Sequence, residues 1–164
     1  MKYVANFTRS NLTESTHNIK IMITDLKGKV LFSSKNDNDF IYPRSSIKIF
    51  QAIPFIQCNP KKHFNLSVKN IALACSSHRG EKYHINELKN WVKKINIIEK
   101  DLKCGVHNPL NTKAAEDLLR SNNIINELHN NCAGKHLAML TSCILNKYNK
   151  KNYLKFNHPH QINI

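Results

Sequence analysis

The stretch Pro43–Gln51, Pro-Arg-Ser-Ser-Ile-Lys-Ile-Phe-Gln, marks a change in the chain from a strand-like to a helix-like pattern. Proline favours an extended residue before it, and a serine oxygen can accept from the free amides of a first helical turn. We therefore expect a helix that begins with Ser45 as its N-cap and runs toward Pro54. On this helix Ser45 and Lys48 share a face, so the lysine amine can reach the serine oxygen.

This serine–lysine pair has the geometry of an activated nucleophile, provided that the amine is neutral. Burial among Ile47, Ile49 and Phe50, together with a second cation nearby, would favour the neutral amine. A capping serine followed by a solvated lysine is the alternative, since the Ser-x-x-Lys pattern is common by chance.

Upstream of this helix the sequence predicts strands. Two apolar runs, Ile19–Thr24 and Lys29–Ser34, flank Asp25-Leu-Lys-Gly28 and indicate a hairpin, and Tyr3–Phe7 indicates a third strand. A polar loop at residues 36–39 leads to the helix. These features predict an α+β fold.

Downstream of this helix, apolar residues recur at helical spacing. We predict three helices with one buried face each, at Ser67–Cys75, Asn86–Lys94 and Lys113–Ser121, and a long apolar helix at about His136–Tyr148. Leu88, Trp91, Val92 and Ile95 form the buried stripe of the second helix. In the first helix we expect Val68, Ile71, Ala72 and Cys75 on the buried face.

Composition and charge limit the class of protein. With 164 residues, 41% of them apolar, the chain fits one globular domain and contains no stretch that resembles a membrane span or the apolar core of a signal peptide. We therefore expect a cytoplasmic protein. The net charge of +14 raises the question of nucleic-acid binding, but the lysines are scattered and no nucleic-acid motif accompanies them, so this class is disfavoured.

The five cysteines are an odd set without an export signal, which favours reduced thiols over disulfides. Cys132 precedes Lys135 and His136 at a predicted helix start, where the helix dipole favours a thiolate, and a thiolate is a good zinc ligand. A buried, inert Cys132 is the alternative. For Cys104 and His107 we favour a loop packed by a small thiol over a metal pair.

Glycines are scarce, and three of the four lie in polar loops. Gly80, Gly105 and Gly134 fall within Ser-Ser-His-Arg-Gly-Glu, Cys-Gly-Val-His-Asn-Pro and Asn-Cys-Ala-Gly-Lys-His. Glycine is useful where the backbone turns with positive φ or approaches another group closely. We therefore predict that these three loops contribute to the functional site.

Five motifs, taken in order, resemble the Rhizobium etli-type L-asparaginases, which are thermolabile and inducible. They are Thr13–His17, Pro43–Lys48, Ala74–Glu81, Asp101–Pro109 and His129–His136. The resemblance implies a fold like that of the serine β-lactamases and glutaminases, a mixed sheet covered by helices. It also implies hydrolysis of L-asparagine to aspartate and ammonia.

The resemblance also implies roles for individual residues. Ser45, Lys48 and Ser77 correspond to the catalytic residues, without indicating which serine attacks. Arg44 and His136 correspond to residues that shape the substrate site. Finally, Cys132 and Lys135 correspond to two ligands of a zinc ion.

The resemblance covers about the first half of such enzymes. Residues 1–164 would then be a single incomplete domain, and a further zinc-ligating cysteine and an active-site lysine would lie in the other half. That half would be a separate chain, or a homodimer would form. We expect a lone chain to expose apolar surface, with the helix at about His136–Tyr148 lacking partners.

Three functions follow from these observations. The first is an asparaginase-type amidohydrolase. The second is an inactive truncated remnant, or one half of a split enzyme. The third, from a different class, is a basic nucleic-acid-binding protein.

Overall fold

The computed structural model describes residues 3–34 and 40–164, so the loop predicted at residues 36–39 lies outside the described residues. The chain divides into two compact units, Met1–Tyr42 and Pro43–Ile164, and each is considered by itself. Within the described ranges, no helix has the length and apolar character needed to cross a membrane.

The first unit consists of two antiparallel strand pairs. β1 (Tyr3–Arg9) pairs with β2 (Leu12–Ile19), and β3 (Met22–Thr24) pairs with β4 (Val30–Ser33). The hairpin of β3 and β4 and the strand at the N-terminus confirm the sequence predictions. Ile19 was assigned wrongly, because it ends β2 instead of beginning the hairpin.

The α+β class is confirmed by these strands and by the helices of the second unit. The described strands form two separate two-stranded sheets. The mixed sheet of the β-lactamase and glutaminase type stays a prediction, and so does the assignment of residues 1–164 to one domain.

The second unit is helical. Its α-helices, in chain order, are α1 (Lys48–Gln51), α2 (Ile53–Gln57), α3 (Pro60–Phe64), α4 (Val68–Cys75), α5 (Lys82–Lys94), α6 (Thr112–Arg120), α7 (Ala133–Leu145) and α8 (Pro159–Ile162). The unit also contains short 3-10 turns at Arg44–Ile47, Glu99–Asp101, Glu127–His129 and Lys150–Asn152.

Helix α7 lies at the centre of this unit. Ten of its 13 residues are buried, and it packs against α2, α4, α5 and α8. Trp91 of α5 is fully buried, as predicted, and its Nε1 donates to Thr141 Oγ1 of α7 at 3.0 Å. The expectation that this helix lacks partners was therefore wrong, because helices of the same unit cover it.

The buried face of α4 differs from the prediction. Asn70, Leu73 and Ala74 are buried, whereas Val68 is 79% exposed and Ala72 is exposed. Apolar spacing misses Asn70 because its side chain is polar. Its Oδ1 accepts from the Ser67 backbone at 2.7 Å in a capping box, which reduces the cost of burying it.

Exposed apolar side chains occur in both units, as expected. In the second unit Ile49, Phe50, Ile53 and Ile56 of α1 and α2 are each more than 40% exposed.

Candidate active site

Three predicted catalytic residues lie in one hydrogen-bonded chain. Lys48, at the start of α1, donates from Nζ to Ser77 Oγ at 2.7 Å and to the Ser76 carbonyl at 3.0 Å. Ser77, in the loop that follows α4, donates from Oγ to Ser45 Oγ at 3.2 Å. Lys48 therefore reaches Ser45 through Ser77, instead of directly as helical spacing predicted.

The start of this segment also differs from the prediction. Ser45 lies inside the 3-10 turn Arg44–Ile47, and the residue at the N-cap position is Pro43, without a side-chain cap hydrogen bond. The Ser45 hydroxyl is consequently free of an N-cap role and faces Ser77. Arg44 is exposed and has φ of +53°, a left-handed conformation that costs a non-glycine residue about 1–2 kcal/mol.

Lys48 is only 3% exposed although it carries an amine. Its apolar neighbours in sequence contribute less than predicted, since Ile49 and Phe50 are 63% and 59% exposed. Burial lowers the pKa of the Lys48 ammonium below its ordinary value, the Cys132 thiol opposes this shift through charge and a hydrogen bond, and Lys135 lowers the pKa further. The predicted second cation near Lys48 is therefore Lys135.

Cys132, Lys135 and His136 lie together at the start of α7. Cys132 occupies the N-cap position and is half-buried, and α7 begins at Ala133, three residues before the predicted start at about His136. His136 is buried, and burial followed by the charges of Lys135 and Lys48 lowers its pKa to about 4. The imidazole is therefore neutral at pH 7. Lys48 forms a side-chain hydrogen bond with Cys132, and its charge also lowers the pKa of His136, so this cluster lies near the serine–lysine chain.

The side chains of Cys132 and Lys135 provide too few ligands for a complete zinc site. Cys132 and Lys135 supply a thiolate and, if deprotonated, an amine, whereas zinc sites use three or four protein ligands. In the described ranges, no three or more His, Cys, Asp or Glu side chains cluster as metal ligands. The residues present thus do not by themselves fit a complete zinc site.

Hydrogen bonds join the segments that contain the three glycines, although Gly134 lies in α7 and not in the predicted loop. His78 N donates to the Asn131 carbonyl at 3.3 Å, which ties the Ser77 loop to the segment before α7. Asn130 Nδ2 donates to the carbonyls of Cys104 and Gly105 at 2.8 and 3.2 Å. His107 Nε2 accepts from Asn131 N at 3.2 Å.

At two of these three positions a larger residue would collide with its surroundings, which explains why glycine is present. Gly80 has φ of +78°, and a Cβ there would lie 2.7 Å from Pro109 Cβ. Gly134 allows α7 to approach α4, since a Cβ would lie 2.2 Å from the Leu73 carbonyl oxygen.

Sequence reasoning missed the residues that hold these loops together. Asn130 and Asn131 were treated only as polar loop residues, and His107 was given no role. The one sign of their role in the sequence is that several asparagine and histidine residues lie close to the glycines. Tyr153, a fully buried residue that contacts His136, has no signal at all in the local sequence.

A separate cavity of about 680 Å³ lies between α5 and α6. Its lining includes Glu81, Lys89, Asp117 and His129, and the predicted site residues are not among the described residues that line it. The cavity and the serine–lysine chain are therefore different features of the second unit.

Comparison with known proteins identifies the family. The model of the L-asparaginase II family matches residues 5–164, nearly the whole chain. No curated protein matches the chain. Because the family match extends over all the residues that form the candidate site, the chain belongs to the L-asparaginase II family.

Proposed function

We propose that this protein hydrolyses the side-chain amide of L-asparagine, with Ser45 as nucleophile, Ser77 as proton relay and Lys48 as general base. The observation that carries the proposal is the hydrogen-bonded order Lys48, Ser77, Ser45. Ser45 lies at the exposed end of this chain, where a substrate can reach it, and Lys48 lies at the buried end.

The order of the three groups defines a balanced acylation step. Ser45 Oγ forms a bond to the amide carbon while the carbonyl π electrons move to oxygen. The Ser45 proton passes to Ser77 Oγ, and the Ser77 proton passes to neutral Lys48 Nζ.

Collapse of this intermediate breaks the carbon–nitrogen bond. Lys48 returns its proton through Ser77 to the leaving nitrogen, so that ammonia departs and an ester on Ser45 remains. Water then attacks the ester carbon and gives a proton to Lys48 through Ser77. The bond between that carbon and Ser45 Oγ breaks, Lys48 returns the proton through Ser77 to Ser45 Oγ, and aspartate is released.

The surroundings of Lys48 support its role as base. Burial lowers its pKa, so a larger fraction of the amine is neutral than in water. In the structure Lys48 Nζ donates to Ser77 Oγ, and Ser77 Oγ donates to Ser45 Oγ. A neutral amine still has two N–H groups, so it can keep its hydrogen bond to the Ser76 carbonyl at 3.0 Å. Rotation of the two hydroxyls then reverses the other bonds, so that Ser45 donates to Ser77 and Ser77 donates to the amine lone pair.

Substrate binding is assigned to Arg44 and His136. The exposed Arg44 guanidinium, next to Ser45 in sequence, is suited to the substrate carboxylate. A neutral His136 would add a hydrogen bond. A zinc ion held in part by Cys132 and Lys135 would add positive charge near the substrate, but no step of this mechanism depends on it.

The test is ammonia release from L-asparagine by single variants. Ser45→Ala should abolish release, and Ser77→Ala should reduce it strongly because the relay is interrupted. Ser46→Ala is the matched control, since Ser46 is exposed and donates to the Pro43 carbonyl outside the relay. Full ammonia release by Ser45→Ala would overturn the assignment of Ser45.

Mass spectrometry of rapidly quenched reactions can separate the roles of the two serines. We expect an aspartyl ester on the peptide that contains Ser45. An ester on the Ser77 peptide would reverse the two roles while preserving Lys48 as base. No ammonia release by the folded wild-type chain would favour the inactive remnant or the split enzyme.

A further inference from the structure

Tyr153 is buried against the candidate site although the proposed chemistry does not use it. It is fully buried and follows the 3-10 turn Lys150–Asn152. Its own carbonyl accepts from Gln161 Nε2 at 2.7 Å, which holds the residue in place. Its hydroxyl lies 2.7 Å from Nδ1 of His136, one of the two residues assigned to substrate binding.

The hydrogen bonds around the Tyr153 hydroxyl fix the direction of its proton. The backbone N–H of Lys103 donates to Tyr153 Oη at 2.8 Å, and a backbone N–H can only donate. Among residues 3–34 and 40–164, the one acceptor available to the Tyr153 proton is His136 Nδ1. A buried hydroxyl proton needs an acceptor, so Tyr153 donates to Nδ1.

A neutral imidazole that accepts at Nδ1 carries its proton on Nε2. Within the described chain, the buried polar side-chain atoms without a hydrogen-bond partner are Asn70 Nδ2, His78 Nε2, His84 Nδ1 and His160 Nε2. His136 Nε2 is not one of them and has no protein partner in those ranges, so it keeps access to solvent.

We propose that Tyr153 is a positioning residue that holds His136 as the Nε2–H tautomer, so that His136 offers a hydrogen-bond donor to an oxygen of the substrate. The relay runs from the Lys103 N–H through the Tyr153 hydroxyl to the imidazole. The link to substrate rests on the proposed function, whereas the tautomer does not.

The test is the His136 tautomer, read by long-range proton–nitrogen NMR of the full chain. In the wild type we expect an unprotonated Nδ1 and a protonated Nε2. Tyr153→Phe removes only the hydroxyl, and we expect the tautomers to mix. Tyr148→Phe is the matched control, since Tyr148 lies edge-on to His158 at 6.1 Å and should leave His136 unchanged.

Activity separates this proposal from the proposed function. If both hold, Tyr153→Phe should raise KM for asparagine in proportion to the lost Nε2–H fraction, about twofold for equal tautomers and about tenfold if only a tenth of the imidazoles keep the Nε2 proton, with kcat little changed. The His136 tautomers could mix in Tyr153→Phe while the wild type releases no ammonia. That result would support the role of Tyr153 and contradict the proposed function.

Two results would overturn the proposal. One is a proton on His136 Nδ1 in the wild type. This measurement needs no variant, so it can be made even if Tyr153→Phe fails to fold. The other is an unchanged Nε2–H tautomer in folded Tyr153→Phe, which would show that the hydroxyl does not select it.

Discussion

Replacing Gly134 by alanine tests the contact that brings the two halves of the candidate site together. Gly134 is the second residue of α7, and the added Cβ would meet the Leu73 carbonyl oxygen at 2.2 Å and its carbon at 2.6 Å. Ordinary contact begins at 3.4 Å, so α7 and α4 must separate by more than 1 Å. Because α4 leads to Ser77 and Cys132 precedes α7, the same shift would disturb the site.

The magnitude follows from two opposing effects. Alanine gains at most about 1 kcal/mol over glycine, the value for a helix interior, and Gly134 lies in the first turn of α7. Overpacking costs about 1–3 kcal/mol, occasionally more, and the upper end applies here because a backbone carbonyl cannot rotate away from the Cβ. We therefore expect a net loss of about 2 kcal/mol in the free energy of unfolding, together with reduced ammonia release.

Urea denaturation monitored by Trp91 fluorescence measures this loss, since Trp91 is fully buried in the same unit. Gly105→Ala is the control. Gly105 has φ of +75° and nothing within 4 Å of an added Cβ, so its cost should be that of backbone strain alone, about 1–2 kcal/mol. A Gly134→Ala chain as stable as the wild type, or more stable, would refute the close approach of the two helices.

Two further predictions concern protons and metal. Burial, followed by the charge of His158, lowers the pKa of fully buried His160 to about 4 from the ordinary 6.5, so its neutral form stabilises the fold fully above pH 6.5. This contribution should be lost as the pH falls toward 4, and urea midpoints that do not decrease from pH 7 to pH 5 would contradict it. Because Cys132 and Lys135 provide only two donors, dialysed protein should retain well under one zinc ion per chain by elemental analysis. One zinc ion per chain that resists a chelator would show that other donors complete the site.

Local patterns predicted much of this structure. The stripe that contains Leu88 and Trp91 fixed the buried face of α5, which begins at Lys82, a turn earlier than predicted. The apolar run after Lys135 predicted a helix over about His136–Tyr148, and α7 covers Ala133–Leu145, three residues earlier at each end. Such features depend on residues three or four positions apart, and sequence spacing reports them directly.

The remaining features depend on contacts between distant residues or on polar groups inside the fold. Helical spacing predicted a direct contact between Lys48 and Ser45. In the folded chain Ser77 lies between them, and its position 29 residues from Lys48 could not be predicted from local spacing. Strand β2 was missed because all its residues are exposed, which leaves no alternation of apolar and polar residues to detect. Tyr153 reaches His136 across 17 positions through a loop without regular periodicity.

Ammonia release from L-asparagine by the wild type and by Lys48→Met is the most direct test of the proposed site. Methionine has a similar length and is apolar, so it suits the buried position but cannot accept a proton. We expect release by the wild type and a loss of about 10²–10⁴-fold in the variant, the usual contribution of a general base. Equal release by folded Lys48→Met, or none by the folded wild type, would contradict the account.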